Sequence, residues 1–516
     1  MLVVPLLGTV VGAVAAGSLV GKRFMFGLAL LNLGVAAALA VRVTLGTPYF
    51  VPGPWGLALM ADRLGALFAV LAVGIQATVL PYAARCLEGS VFRRFAVVSQ
   101  VLLTASELTG TAGTFGTLVL GWVMASVAVY ALVASTGVAR GSARRLGAAF
   151  LLGDGALVGA LAITWRLAGD ASLWRLSQVE AHLRAVRLPL GPVVLTAADA
   201  VAVLVVVSAI VRSALWPGPR WLPSTLAAPT PVSALLHAGV VNAGGLLLIR
   251  LSPLFVATPA SALALTAGLG TAALGSVATA VRSDVKGALV HSTMSQMGFM
   301  VAECAVGAYT AAAFHLVAHA MYKASLFLNS GDGITANVRE RQSSALSAST
   351  PTRVRLALAL MGAFGLLALG VLVHPGLLAH RSGVVTVAFA AVTSGALLWG
   401  WSERRQSLGQ MPWTLVIVAA GGVGYLLWSS TVAGWLAPEL RTAGAAFLSP
   451  LWLLGALAVA SGCTAFAAYA GRRPSVAARF HARALWAAWG RPSPGRMTLV
   501  AKHWRRLEVA LWKEPV

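Results

Sequence analysis

Apolar runs of about 18–25 residues, each enough to carry a helix across roughly 30 Å of hydrocarbon, recur along the whole chain with short polar or basic stretches between them. They predict about fifteen spans, near 2–20, 25–41, 64–82, 95–112, 114–136, 147–167, 190–214, 229–249, 258–281, 286–306, 310–329, 354–372, 383–401, 413–430 and 449–471. Barrel strands would alternate apolar and polar residues, and these runs do not. The expectation is an all-α polytopic membrane protein, the backbone satisfying its own hydrogen bonds inside each helix.

Four stretches depart from the pattern. Residues 171–184 space apolar and polar positions as an amphipathic helix lying at the interface. The segment Trp216-Pro-Gly-Pro-Arg-Trp-Leu-Pro223 cannot continue a helix, so span seven is expected to end there as an interrupted helix. Residues 331–353 form a polar loop, and residues 472–516 a basic amphipathic tail carrying Trp486, Trp489, Trp504 and Trp512. The chain divides into N-terminal spans (1–94), a core (95–335), C-terminal spans (336–471) and the tail (472–516).

Composition agrees. Of 516 residues 58% are hydrophobic and 10% charged, against about 25% charged in soluble domains, and the mean hydropathy is +0.83. The net charge of +23 sits mainly in the tail and in short loops holding Lys22/Arg23, Arg85/Arg93/Arg94, Arg140/Arg144/Arg145, Arg282/Lys286 and Arg404/Arg405. That is the positive-inside pattern: it places the N-terminus outside and the C-terminus in the cytoplasm of a cell membrane, argues against a nucleic-acid partner, and gives the tail anionic lipid as its default surface. Cys86, Cys304 and Cys463 lack metal-ligand spacing, so no redox centre, metal or other cofactor is expected.

The candidate chemistry is polar groups at membrane depth, which are costly without partners or water. His237 lies in an otherwise apolar helix opened by Pro231 and Ser233, with Asn242 five residues on. Span ten carries Lys286, His291, Ser292, Thr293, Ser295, Gln296 and Glu303. In span eleven His315, His319 and Lys323 fall at i, i+4 and i+8, one face over about 12 Å. Such groups can hand protons between waters; a buried polar cluster holding helices in register is the other reading, and for Lys286 a lysine snorkelling to the interface. Glu107, Asp154 and Asp199 lie on three different helices, as helix caps, local pairs or proton carriers. The glycines from Gly268 to Gly275 predict close helix packing.

These residues resemble a known family. Pro229-Thr-Pro-Val-Ser-Ala-Leu-Leu-His-Ala-Gly239, Asp284-Val-Lys-Gly-Ala-Leu-Val-His-Ser-Thr-Met-Ser-Gln-Met-Gly-Phe299 and His315-Leu-Val-Ala-His-Ala-Met-Tyr-Lys-Ala-Ser-Leu-Phe-Leu328 are similar to the antiporter module of complex I membrane-arm subunits and Mrp-type antiporters. Asn242-Ala-Gly-Gly245, the Tyr322-Lys323 pair and Gly121-Trp-Val-Met-Ala-Ser126 resemble the DabB branch, the membrane subunits of inorganic-carbon pumps. The resemblance implies a transporter subunit, not an enzyme, in which proton or sodium flow drives CO₂ conversion to bicarbonate in a DabA-like, zinc-containing cytoplasmic partner. It also implies two inverted repeats with broken helices at spans seven and twelve. By position, Lys286, His291, His315, His319 and Lys323 become the proton path of the second repeat, His237 a proton-path residue of the first beside Arg212 at the end of span seven, and Arg212, Glu107, Asp154 and Glu303 charge-coupling residues. Two positions depart: Val123 stands where complex I subunits carry a glutamate, and Arg212, which cannot deprotonate, stands where the family carries a lysine. A redox-complex or antiporter subunit, and a non-conducting assembly subunit, remain the alternatives.

Overall fold

The computed structural model describes residues 19–135, 140–190, 193–255, 258–280, 282, 284–330 and 411–440, with isolated positions between 357 and 398. Spans one, twelve, thirteen and fifteen, the loop 331–353 and the tail fall largely or wholly outside these. Among the described residues the chain forms thirteen α-helices and two short hairpins. Seven segments among the described residues are long and apolar enough to cross a membrane.

The first helices follow from their caps and apolar content. α1 is Leu19–Leu45, followed by the hairpin of β1 (Tyr49–Pro52) and β2 (Ala58–Ala61). α2 (Arg63–Cys86) opens on Asp62, whose carboxylate accepts the Gly65 N–H at 2.7 Å, satisfying a donor that a helix start leaves orphaned. α3 (Gly89–Gly110) and α4 (Phe115–Ala134), capped by Thr114, pack as an antiparallel pair, and α5 is Arg140–Ala168. Lys22 and Arg23, expected in the first loop, lie inside α1 instead. The Lys22 ammonium reaches the Ala84 carbonyl at 2.9 Å and stands 4.9 Å from the Phe92 ring centre, so a long side chain takes the charge to the end where α2 meets α3.

The interfacial helix is present as α6 (Leu176–Ala185), burying Leu176, Val179 and Leu183 on one face. Span seven is shorter than its apolar run. Residues from Arg187 pair as β3 (Arg187–Leu190) and β4 (Val193–Thr196), and α7 runs only from Ala197 to Arg212. A capping box fixes that start: Thr196 and Asp199 exchange side-chain and backbone hydrogen bonds, which makes Asp199 a cap. After Arg212 the chain proceeds through turns in which Trp221 and Leu222 are fully enclosed, the interruption expected from the prolines.

Span eight, expected to be continuous, is broken into α8 (Thr230–Ala238) and α9 (Ala243–Arg250) by a 3₁₀ turn over Val240–Asn242. The break lets α9 lie backbone-close to α7: a Cβ on Gly244 would sit 2.6 Å from the Ala209 carbonyl oxygen. α10 (Pro259–Ala280) and α11 (Val285–Ala305) meet equally closely, a Cβ on Gly268 falling 2.6 Å from the Gly298 carbonyl oxygen, so the glycines pack helices as expected. α12 (Tyr309–Leu328) packs on α8 and α11, and α13 (Met411–Leu436) on α12. Lys323 ranks with Trp122, Trp221 and Phe92 among the largest fully buried side chains.

Candidate functional site

The α12 face carries a line of polar groups, each met by a different neighbour. His315 has an acceptor oxygen on both ring nitrogens, Glu303 Oε2 at 2.8 Å and Gln296 Oε1 at 2.9 Å, both from α11. Both ring nitrogens are thus engaged from the neighbouring helix. One turn on, His319 Nδ1 lies 3.1 Å from Asn242 Oδ1 at the α8–α9 break, and His319 Nε2 is buried without a hydrogen-bond partner among the described residues. A further turn on, Lys323 donates to Ser292 Oγ at 2.7 Å.

Three more groups gather around Lys323. His291 Nδ1 contacts the Gly287 carbonyl at 2.8 Å, and the half-buried Lys286 donates to the Ala228 carbonyl just ahead of α8. His237, grouped by the resemblance with Arg212 of span seven, stacks instead on Phe327 of α12, with ring centres 4.4 Å apart, and its Nδ1 is buried without a hydrogen-bond partner among the described residues. Ser233, expected to cap α8, turns its hydroxyl to the Ala228 carbonyl at 3.4 Å. Outside the span, Asp284 caps α11 on the Gly287 N–H. Burial pulls its carboxyl up, but the bonds from Arg282 and the Gly287 N–H outweigh that and hold it below the ordinary aspartate value.

A second centre sits on α7. The Arg212 guanidinium donates to the Trp122 carbonyl at 3.0 Å, Ser126 Oγ at 2.6 Å and Asp154 Oδ1 at 3.2 Å. It lies between the rings of Trp122 and Phe150, 4.3 and 4.6 Å from their centres. The carboxylate that meets Arg212 is Asp154 of α5. A cavity of about 40 Å³ joins the two centres, bounded by Arg212 and Trp122 on one side and by Gly239 and Asn242 on the other, with Ser106 and Thr109 adding hydroxyls. One water takes about 10–15 Å³ by the same measure, so a few fit between the guanidinium and the Asn242 amide that holds His319.

Sequence reasoning found the α12 line and the polar face of α11 but not what Asn242 does, since it contacts His319 across 77 residues. It also missed the Asp62–Arg250 ion pair, closed by Arg250 bonding the Gly110 carbonyl. Among the described residues no group of three His, Cys, Asp or Glu side chains could hold a metal.

Many membrane-crossing helices, a discontinuous helix at their centre and a buried line of histidine, lysine and carboxylate define a multi-pass membrane protein of the antiporter-like class. Residues 112–400 match the family described as NADH:quinone oxidoreductase/Mrp antiporter, transmembrane, and the chain belongs to it. It is 37% identical over 286 residues to the "probable inorganic carbon transporter subunit DabB1" of Halothiobacillus neapolitanus, covering 54% of this chain and 50% of that protein. It is 35% identical over 286 residues to the "probable inorganic carbon transporter subunit DabB" of Bacillus subtilis, covering 55% and 54%. The chain thus spans about half the length of the curated relatives it matches. The structure of an Mrp complex from Dietzia shares the fold, with a TM-score of 0.63 and 24% identity over 99% of this chain and 60% of that one.

Proposed function

We propose that the chain is the ion-conducting membrane subunit of an inorganic-carbon accumulation complex, and that protons passing through it energise CO₂ conversion to bicarbonate in a DabA-like, zinc-containing cytoplasmic partner. The observation that carries the conduction reading is the α12 line, in which each of His315, His319 and Lys323 has its own partner on another helix. Lys286, His291 and His237 complete the path toward the basic, cytoplasmic face, and the Arg212–Asp154 pair and Glu303 bias it electrostatically. The partner and the carbon chemistry rest on the names of the relatives. An N-terminus outside and a C-terminus in the cytoplasm, with the tail on lipid or partner, go with this reading.

The test is growth in air of a host lacking carbonic anhydrase, supplied with this chain and its partner. Lys323→Ala is expected to abolish rescue, and Lys323→Arg as well, because arginine keeps the charge but does not release the proton. Full rescue by both variants would overturn conduction and leave an assembly role. The Mrp likeness supports one other reading, a subunit of a cation/proton antiporter or quinone-reducing complex.

A further inference from the structure

Glu107 stands apart from both centres. It lies in the last turn of α3, 1% exposed, and its Oε1 accepts the Asn32 Nδ2–H of α1 at 2.9 Å. Asn32 is equally enclosed. One turn away on each helix, Ala36 and Leu103 pack with Val73, so the surroundings are apolar. Two oxygens of this pair, Glu107 Oε2 and Asn32 Oδ1, are buried and meet no donor among the described residues. Among the described residues, Asp62 and Arg250 pair at the Gly110 end of α3.

Two orphan acceptors on two partners that already share one N–H···O bond are one proton short. An ionised Glu107 leaves both unsatisfied in an apolar site, each at the cost of its desolvation. A proton on Oε2 turns that oxygen into a donor, and Asn32 Oδ1 is the acceptor it lacks. A second bond between them would close the paired ring that carboxylic acids and primary amides form. A metal cation would need a fuller shell of oxygens than this pair offers.

We propose that Glu107 is a proton-binding site, held as a neutral acid against Asn32, and that it exchanges its proton during transport. On release the Oε2–H bond breaks, the electron pair stays on the carboxylate, still held at Oε1 by the Asn32 N–H, and the proton passes to water. The exchange part rests on the conduction reading above; the binding part does not.

Glu107→Gln copies the protonated state, its N–H replacing the O–H, so the fold is kept. Infrared difference spectroscopy on the full purified chain at neutral pH should show a carboxylic-acid C=O band that Glu107→Gln removes and Asn32→Leu moves to higher frequency. In the growth assay and in proton flux into liposomes with the partner, Glu107→Gln should lose about tenfold or more at unchanged melting temperature. Absence of that band overturns the binding site. Full activity of Glu107→Gln beside an inactive Lys323→Ala overturns exchange at Glu107 while conduction stands. Full activity of both variants overturns conduction, and with it exchange at Glu107, and the infrared band still decides whether Glu107 holds a proton.

Discussion

Arg212 is held from two directions, by the Asp154 carboxylate in the plane of its guanidinium and by the Trp122 and Phe150 rings against it. Breaking a buried pair from one side strands a charge. Arg212→Gln is therefore expected to destabilise the purified chain by about 3–5 kcal/mol, and the double change Arg212→Met with Asp154→Leu to recover most of that, since the lone carboxylate goes too. Melting curves of both variants in one detergent check this; equal loss in single and double variants would remove the ion pair from the account. At this scale the sequence is readable where partners share a helix. His315, His319 and Lys323 declare themselves through i, i+4 spacing. Asp154 and Arg212, 58 residues apart, and Glu107 and Asn32, 75 apart, carry no local signal that they meet.

Among the elements, the spans were legible because lipid demands long apolar helices, and the places where helices stop were less so. The prolines after Trp216 announce the end of α7. The break in span eight has no proline inside it and rests on Gly239 and on the contact of Gly244 with α7, which is tertiary. The Lys22/Arg23 pair looks like a loop by charge, yet a helix end tolerates it because the Lys22 side chain snorkels. At the end of α13, Glu439 accepts the N–H groups of Arg63 and Leu64 at 2.6 and 2.9 Å, docking α13 on the start of α2. Burial, then the negative charge of Asp62, raises the Glu439 carboxyl above the ordinary glutamate value of 4.5. The folded state then holds this proton more tightly than the unfolded one, so the stability it contributes is full below that ordinary value and is lost as pH rises to the raised one. Melting temperature is expected to fall with rising pH over that interval in the wild type and to stay flatter in Glu439→Gln; parallel profiles would contradict the assignment.

For the whole molecule, the proposed orientation rests on the basic loops. Arg85, Arg93 and Arg94 border the end of the α2–α3 pair opposite to the Asp62–Arg250 pair, and Lys22 points its charge toward them. A cytoplasmic partner would meet that basic face. Affinity purification of the tagged chain from its native membrane should bring down one large zinc-containing subunit; recovery of several small membrane subunits instead would favour the antiporter-complex reading. The family was legible because its motifs are local runs around His237, Lys286 and Lys323. The two departures, Val123 and Arg212, were legible as substitutions, but the pairing of Arg212 with Asp154 was not.

The bond between Glu439 and the first turn of α2 also concerns biosynthesis. It joins positions 376 residues apart, and at translation rates of roughly 5–20 residues per second the ribosome takes on the order of 20–75 seconds to make the chain between them. During that time α2 is inserted with its leading N–H groups awaiting their acceptor, and the insertion machinery, lipid headgroups or water must stand in. Among the described residues, a seam completed late in synthesis thus lies at one of the earliest helices.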